Sequence, residues 1–366
     1  MSIFYMPTKV FDEKDAVIKN AGVLKAFGKK ALIVTGSSSA MKNGAYNDVV
    51  EALESQGISH VLFNEIEENP STDTIMRARD FGLSVNVDFV VGVGGGSPMD
   101  ASKAIALMIK HKDASKDYMY DPSQPSDTIP VVCVPTTCGT GSEVTAVSVL
   151  TVPEKDTKIS IKHKIFPKVS FIDGKYLKSA PAHVLNNTAI DALTHMYESY
   201  LNVNSTVYSE MCVDAGLRSW AKNLDIIKGE RVPTDDDYQN LMRASMMAGM
   251  AIAQDGTALP HGFSYGLTTR KHVPHGKAVG YFTAGYLACA DQKDREYLLK
   301  TAGFTSLEDF QEVLYKACGP VDVDEDFLMT LVEEMSVNTA KLKAVPYHVG
   351  RDELVKIALY TKKSGY

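Results

Sequence analysis

The 366-residue sequence predicts an α/β amino-terminal domain with a parallel sheet, followed by an all-α carboxy-terminal domain. Three observations carry this expectation. Short apolar, β-rich runs alternate with helical periodicity through the first half. Several of those runs end in loops rich in glycine and hydroxyl residues. Beyond about Pro181 the strand pattern stops while helical periodicity continues. At about 150 residues per domain the length accommodates two, and the boundary is placed so that residues 1–180 form the α/β domain and residues 181–366 the helical one.

The elements follow in order. Residues 30–35 (KALIVT) form a strand stopped by Gly36-Ser37-Ser38-Ser39. Residues 47–55 read as a helix, 59–63 as the next strand and 71–81 as a helix. Residues 87–93 are a near-continuous apolar run, the pattern of a strand covered on both faces. Ala101, Ala104, Ile105 and Met108 then fall at i, i+3, i+4 and i+7, one face of a helix. Residues 129–135 complete the alternating half. In the second half, residues 184–200, 209–227, 236–254 and 327–343 are expected as helices, and 241–253 is rich in Ala and Met nearly all round, as in a helix buried within a bundle.

Composition narrows the function classes. A net charge of −7 disfavours a phosphate-backbone partner, so no nucleic acid is expected. Cys133, Cys138, Cys212, Cys289 and Cys318 are odd in number and form no C-x-x-C pair, which argues against a disulfide framework and a thiolate zinc site. The first residues lack a basic, then apolar, leader pattern, and no apolar run reaches the ~18 residues of a membrane span. A cytoplasmic protein without membrane contact is the expectation.

Two loops invite a ligand. Gly92-Val93-Gly94-Gly95-Gly96-Ser97-Pro98 runs from strand to helix, with Pro98 expected at the first helical position. Consecutive glycines allow close backbone approach, and a helix start favours phosphate. The dinucleotide fingerprint G-x-G-x-x-G is not met, because Ser97 stands at its third glycine, and the loop follows the third strand rather than the first. From the residues alone the loop reads as a phosphate cradle or as a tight strand-to-helix turn. Pro135-Thr136-Thr137-Cys138-Gly139-Thr140-Gly141 also follows a strand, and reads either as a second ligand loop or as a hydrated one.

Among nine histidines, most of His60, His111, His163, His183 and His348 read as incidental, and His272 as a solvated neighbour. Asp191 and His195 lie at i and i+4 of a predicted helix, on one face, as metal ligands or as part of an ordinary polar stripe. The tripeptide Pro-His-Gly occurs twice, around His261 and His275, and the small residue after each His allows close approach. One carboxylate and three imidazoles would suit Fe²⁺ or Zn²⁺ with a position left open for substrate.

These segments, GGGSPMD at 94–100, PTTCGTGSEVT at 135–145, DALTH at 191–195 and PHGFSYGLTTRKHVPHG at 260–276, together resemble the iron-dependent (group III) alcohol dehydrogenase family, in particular its 1,3-propanediol and butanol dehydrogenase-like members. The resemblance spans essentially the whole chain. It implies a dehydroquinate synthase-like α/β domain, an all-helical partner domain, and a homodimer in which the β-rich segment 4–11 pairs across the axis. It implies metal ligation by Asp191, His195, His261 and His275. It places the pyrophosphate of a nicotinamide dinucleotide on Gly95, Gly96 and Ser97, with Asp100 closing the turn, other cofactor contacts on Thr136, Thr137 and Thr140, the adenosine end on Asn69-Pro70, and a cofactor lysine at Lys158.

Two departures from the family pattern bear on chemistry. Many members carry a His four residues after the third ligand. Tyr265 stands there, and an unperturbed phenol of pKa ~10 is a poor neutral proton shuttle. Members that prefer NAD often carry Asp directly after the first strand. Here Gly36 is followed by Ser37, Ser38, Ser39 and Lys42, which removes repulsion against a 2′-phosphate, so NADP(H) is expected ahead of NAD(H).

The expected function is metal-assisted hydride transfer between a nicotinamide dinucleotide and a small alcohol or diol and its aldehyde, with Phe263 and Met196 lining the substrate side and the two domains meeting at a ligand cleft. Fe²⁺ is the expected metal, with Zn²⁺ as the alternative. A glycerol dehydrogenase-like polyol oxidoreductase, whose zinc is held by Asp and two His, and a dehydroquinate synthase-like lyase are the competing readings. Only Arg270 and Lys271 offer the latter a basic cluster near the ligands.

Overall fold

A computed structural model describes residues 3–155 and 157–365. The chain forms two compact units, one of residues 6–137 and 141–180, the other of residues 3–5, 138–140 and 181–365.

The first unit is built on a six-stranded parallel sheet in the order β1-β8-β5-β4-β2-β3, with β1 at Lys9–Asp12, β2 at Lys30–Thr35, β3 at Ser59–Phe63, β4 at Phe89–Gly94, β5 at Val131–Pro135 and β8 at Val169–Ile172. The apolar runs are continuous because both faces are covered. On one face Leu32, Val34 and Val90 pack with Ile75 of α2 (Thr72–Ser84) and Ile105 of α3 (Gly96–Lys110). On the other, Ala31, Ile33, Val91 and Val132 pack with Val49 and Leu53 of α1 (Ala45–Ser55). Neighbours along a strand point to opposite faces, so each strand serves both layers.

The strand order sets the position of the ligand loops. The chain leaves β2 outward to β3, returns to β4 on the other side of β2, and continues away through β5. The connections therefore reverse direction between β2 and β4, the switch point where open parallel sheets bind ligands beyond their carboxyl ends.

Four differences from the sequence expectation have physical causes. Residues 3–8 lie outside any strand and β1 starts at Lys9, after Pro7, which has no N–H for a ladder; β1 pairs with β8 of its own chain, Lys9 opposite Val169. An antiparallel hairpin, β6 (Val149–Val152) and β7 (Thr157–Ser160), and β8 itself escaped notice, being four-residue strands too short for periodicity to register. The α3 helix begins at Gly96, so Pro98 is its third residue; a missing N–H is still harmless in a first turn.

The second unit is helical. Its longer helices are α4 (Ala182–Tyr200), α5 (Val207–Ala221), α6 (Asp235–Asp255), α7 (Leu259–Arg270), α8 (His275–Cys289), α9 (Gln292–Thr301), α10 (Leu307–Cys318), α11 (Glu325–Ser336) and α12 (Arg351–Lys363). The Ala- and Met-rich α6 packs on α4 and α5, and α8 on α4, α7 and α12. Helices expected over 209–227 and 327–343 are each broken. Asn223 turns the chain before a short helix at Leu224–Ile227, and Asn338 accepts from the Lys341 N–H at 3.2 Å to start Thr339–Ala344. Asn competes for backbone hydrogen bonds and so favours caps over helix interiors. Among the described residues no helix is long and apolar enough to cross a membrane.

Candidate functional site

The helical unit gathers the metal-ligand candidates around one carboxylate oxygen. Asp191 and His195 sit one turn apart on α4. His261 lies in the first turn of α7 after Pro260, and His275 is the first residue of α8. Asp191 Oδ1 is 3.3 Å from His261 Nε2, 3.7 Å from His275 Nε2 and 4.0 Å from His195 Nε2. Ligand atoms of Asp191, His261 and His275 all lie within 4.8 Å of one another. His195 stands just outside this set: its ring stacks on His261 with centroids 4.3 Å apart, and its Nδ1 is 3.2 Å from the Gly139 carbonyl oxygen.

Two atoms at the centre fit a cation. Asp191 Oδ1 and His261 Nε2 are buried and have no hydrogen-bond partner. An orphaned buried acceptor is costly, and a divalent cation between carboxylate and imidazoles satisfies both atoms at once. Oxygen and nitrogen donors in this ratio suit Fe²⁺ or Zn²⁺.

The glycines that follow the two histidines serve helix packing. A Cβ on Gly276 would sit 1.8 Å from the Asn187 carbonyl oxygen, so only glycine lets α8 begin against the α4 backbone. One on Gly262 would meet Met335 Cε at 2.7 Å. Gly139 likewise runs close to the site, where a Cβ would lie 3.1 Å from Asp191 Oδ2.

Electrostatics follow from burying two carboxylates among imidazoles. Burial would raise the Asp191 carboxyl, but His195, His275 and His261 reverse this and hold it well below the usual carboxylate range. Burial lowers His195 to about 4 despite the pull of Asp191. Burial acts to lower His261 as well, yet Glu198 and Asp191 outweigh it and push it up to about 9. A bound cation would take the place of that proton.

Glu198 went unnoticed in the sequence. It follows Asp191 by seven residues on α4 and is fully buried, with Oε1 accepting the His261 backbone N–H at 3.0 Å and Oε2 meeting His261 Nδ1. The i, i+4, i+7 spacing of Asp191, His195 and Glu198 was the available signal.

Tyr265, one turn beyond His261, keeps its proton: desolvation, joined by the charges of Glu198 and Asp191, raises its phenol further. Phe263 and Met196 do not line the site. Phe263 stacks on Phe282 with centroids 5.0 Å apart, and Met196 packs against Gly216, both in the core. A helix turns 100° per residue, so positions one or two beyond a ligand point elsewhere.

In the α/β unit, the loops after β2, β4 and β5 share the carboxyl rim of the sheet. Gly36 follows Thr35 there, with Ser37, Ser38 and Ser39 exposed. Gly95 and Gly96 open α3, and no side chain caps its first turn. The Ser97 hydroxyl accepts the Asn69 N–H at 3.1 Å, which ties the glycine loop to the Asn69-Pro70 turn. The Thr151 hydroxyl donates to the Asn69 carbonyl at 2.8 Å, and Thr151 pairs with Lys158 across the hairpin, which brings Lys158 toward the same turn. Thr136 donates its N–H to Gly94 O at 2.8 Å, and the Thr137 side chain lies 3.3 Å from where a Gly95 Cβ would stand. Thr140 groups with the helical unit.

Asp100 turns inward. Its carboxylate accepts from Ser142 Oγ at 2.5 Å and Val149 N at 2.8 Å and faces the buried Lys103, whose Nζ donates to Val147 O at 2.7 Å. Asp100 and Lys103 thereby fasten the glycine-loop helix to the 142–149 segment, a role the sequence did not disclose for Lys103.

Comparison with known proteins finds relatives of both halves of the chain. Residues 7–174 match the family model for iron-containing alcohol dehydrogenase, and residues 186–318 match the C-terminal model of the same Fe-containing alcohol dehydrogenase family. A crystal structure of an iron-containing alcohol dehydrogenase from Thermotoga maritima superposes with a TM-score of 0.90 at 36% identity, covering 99% of each chain. The NADPH-dependent butanol dehydrogenase of Clostridium saccharobutylicum is 27% identical over 92% of this chain and 84% of its own. The 1,3-propanediol dehydrogenase of Citrobacter freundii is 32% identical over 69% of this chain and 65% of its own. With both halves matched in order and a solved member superposing over nearly its full length, the chain belongs to the iron-containing alcohol dehydrogenase family.

Proposed function

We propose that this protein is a metal-dependent alcohol dehydrogenase that interconverts a small alcohol or diol and its aldehyde with a nicotinamide dinucleotide. One observation carries the reading: Asp191 Oδ1 and His261 Nε2 are buried, lie 3.3 Å apart without a hydrogen-bond partner, and face the His195 and His275 imidazoles. The ligands proposed are Asp191, His195, His261 and His275. When bound, the metal supplies Lewis acidity at the substrate oxygen and the dinucleotide supplies or accepts the hydride.

The chain's own residues bind and orient. Asp191 contributes the one anionic ligand, Gly139 O holds the His195 ring through Nδ1, and the glycine after His275 seats α8 on α4. Gly95, Gly96 and Ser97 offer backbone N–H groups at a helix start to the pyrophosphate, Asn69 and Lys158 border the adenosine end, and Thr136, Thr137 and Thr140 supply further contacts. Tyr265 can donate a hydrogen bond, but an ordinary phenol pKa of about 10 makes it a poor proton relay at neutral pH. Gly36 and the exposed Ser37, Ser38 and Ser39 support acceptance of NADP(H). Five cysteines without a disulfide fit a cytoplasmic setting, and a homodimer is the assembly proposed.

A second reading, a zinc glycerol dehydrogenase-like polyol oxidoreductase, draws on the tight Asp191, His261 and His275 set, from which His195 stands apart. Absorbance at 340 nm with alcohol, diol and glycerol panels, both dinucleotides, and Fe²⁺ or Zn²⁺ restored to chelated protein tests both. Turnover of short alcohols with Fe²⁺ supports the first. Turnover of glycerol alone with Zn²⁺ supports the second. Metal-independent turnover, or none with either metal, sinks both.

A further inference from the structure

Glu198 is a buried charge that the reaction just described does not use. Its side chain is fully enclosed on α4, and both of its oxygens engage His261: Oε1 accepts the backbone N–H at 3.0 Å and Oε2 meets ring Nδ1. The first contact fixes the start of α7 and the second fixes the ring. With Nδ1 engaged, Nε2 is the ring atom turned to Asp191 Oδ1, and it is the one left without a hydrogen bond.

An imidazole that gives one N–H to a carboxylate keeps its lone pair on the other nitrogen, and the carboxylate strengthens that lone pair as a ligand. Lys341 supplies the balancing charge. Its Nζ is anchored on Thr257 O at 2.9 Å and Thr257 Oγ1 at 2.6 Å, and its charge acts on Glu198. For stability alone a buried ion pair is a poor device, because desolvation cancels much of its attraction and apolar residues serve as well.

We infer that Glu198 is a positioning residue for the metal: it holds His261 as the Nδ1–H tautomer and so presents Nε2 to the cation. This rests on the metal-centre reading above.

The test compares wild type, Glu198→Gln and Trp220→Phe. Gln keeps the volume and can still accept the backbone N–H, but it cannot serve the ring as an anion. Trp220→Phe removes a different buried hydrogen bond to α4, from Nε1 to Ala189 O at 2.8 Å, and controls for loss of stability. Zn²⁺ affinity is read by competition with a chromophoric chelator, and ligand geometry by the visible spectrum of the Co²⁺ protein. Glu198→Gln is expected to bind Zn²⁺ about 10–100-fold more weakly and to shift the Co²⁺ bands, whereas Trp220→Phe lowers only the melting temperature. Wild-type Zn²⁺ affinity and Co²⁺ spectrum in Glu198→Gln would overturn the proposal.

If Glu198→Gln does not fold, ¹H–¹⁵N spectra of the Zn²⁺-loaded wild type decide. A protonated Nδ1 and metal-bound Nε2 on His261 support the proposal, and the reverse tautomer overturns it. Failure of the wild type to take up Zn²⁺ in a manner that Asp191→Asn abolishes would instead remove the metal centre itself, and the proposal with it.

Discussion

Gly276 lies so close to Asn187 that a single added methyl carbon would stand 1.8 Å from the Asn187 carbonyl oxygen and 2.6 Å from its carbon. The neighbour is helix backbone, which cannot rotate aside. Gly276→Ala must therefore lift α8 off α4, and with it His275. Overpacking of this kind costs about 1–3 kcal/mol, and a rigid backbone neighbour places the cost at the upper end. Urea denaturation should show the loss, and Zn²⁺ titration should show weakened binding in the same variant. Gly22→Ala, where nothing lies within 4 Å of the new atom, should leave both measurements near wild type.

The three imidazoles are not equivalent. His261→Ala and His275→Ala each remove a member of the tight cluster and are expected to abolish metal retention after dialysis. His195 lies 4.0 Å from the shared carboxylate oxygen and stacks on its neighbour instead. His195→Ala is expected to weaken binding at least tenfold, about 1.4 kcal/mol, while retaining measurable occupancy. Wild-type affinity in His195→Ala would mean a three-ligand site and would move the weight to the zinc polyol reading.

Asp237 gives the helical unit an acid-sensitive anchor. Its carboxylate meets Arg231 through two nitrogens, at 2.6 and 2.9 Å, and accepts the Thr234 N–H at 2.7 Å at the start of α6. The Arg231 hydrogen bonds hold it well below the usual carboxylate range, against a smaller opposing effect of burial. A pKa lowered on folding contributes stability above the unfolded value of about 3.9 and loses it as pH falls through the folded value. Asp237→Asn should therefore cost about 1 kcal/mol at pH 7, the size of a lost helix-start interaction discounted for partial exposure. That difference should shrink toward pH 2. A constant difference from pH 8 to pH 2 in urea midpoints would contradict the assignment.

The parts legible in the sequence are those where the signal is local. β4 is read directly, since Phe89-Val90-Val91 between turn residues can only be a strand covered on both faces. Asp191 and His195 are found because a helix turn places i and i+4 together. The same periodicity puts Glu198 at i+7 on that face, but its role stays hidden because its partner, His261, lies 63 residues away and because one glutamate in an acidic chain carries no mark of burial. Phe263 and Met196 were expected beside the metal on sequence proximity, but helix geometry turns both into the core. Lys103 looks like a surface lysine until the 142–149 segment, with Ser142 and Val147, encloses it. Long-range closure, absent from any periodicity, hid the roles of Glu198 and Lys103.

The proposed preference for NADP(H) rests on Gly36, and the position is well suited to a test. Its backbone is not left-handed, and a Cβ there would lie 3.4 Å from the Ile66 carbonyl oxygen, an ordinary contact. Gly36→Asp therefore introduces charge at the carboxyl end of β2 without forcing the chain apart. A carboxylate there would accept the ribose hydroxyls of NADH but repel a 2′-phosphate, and the exposed Ser37, Ser38 and Ser39 would no longer face that phosphate unopposed. The ratio of kcat/KM for NADPH over NADH should fall at least tenfold, about 1.4 kcal/mol of discrimination, with KM for NADPH carrying the change. The loss should lessen in high salt, since an exposed charge repulsion is screened over about 8–10 Å at ordinary ionic strength. An unchanged ratio would mean that the dinucleotide's adenosine end lies away from the β2 loop, and the NADP(H) preference read from Gly36 would fall.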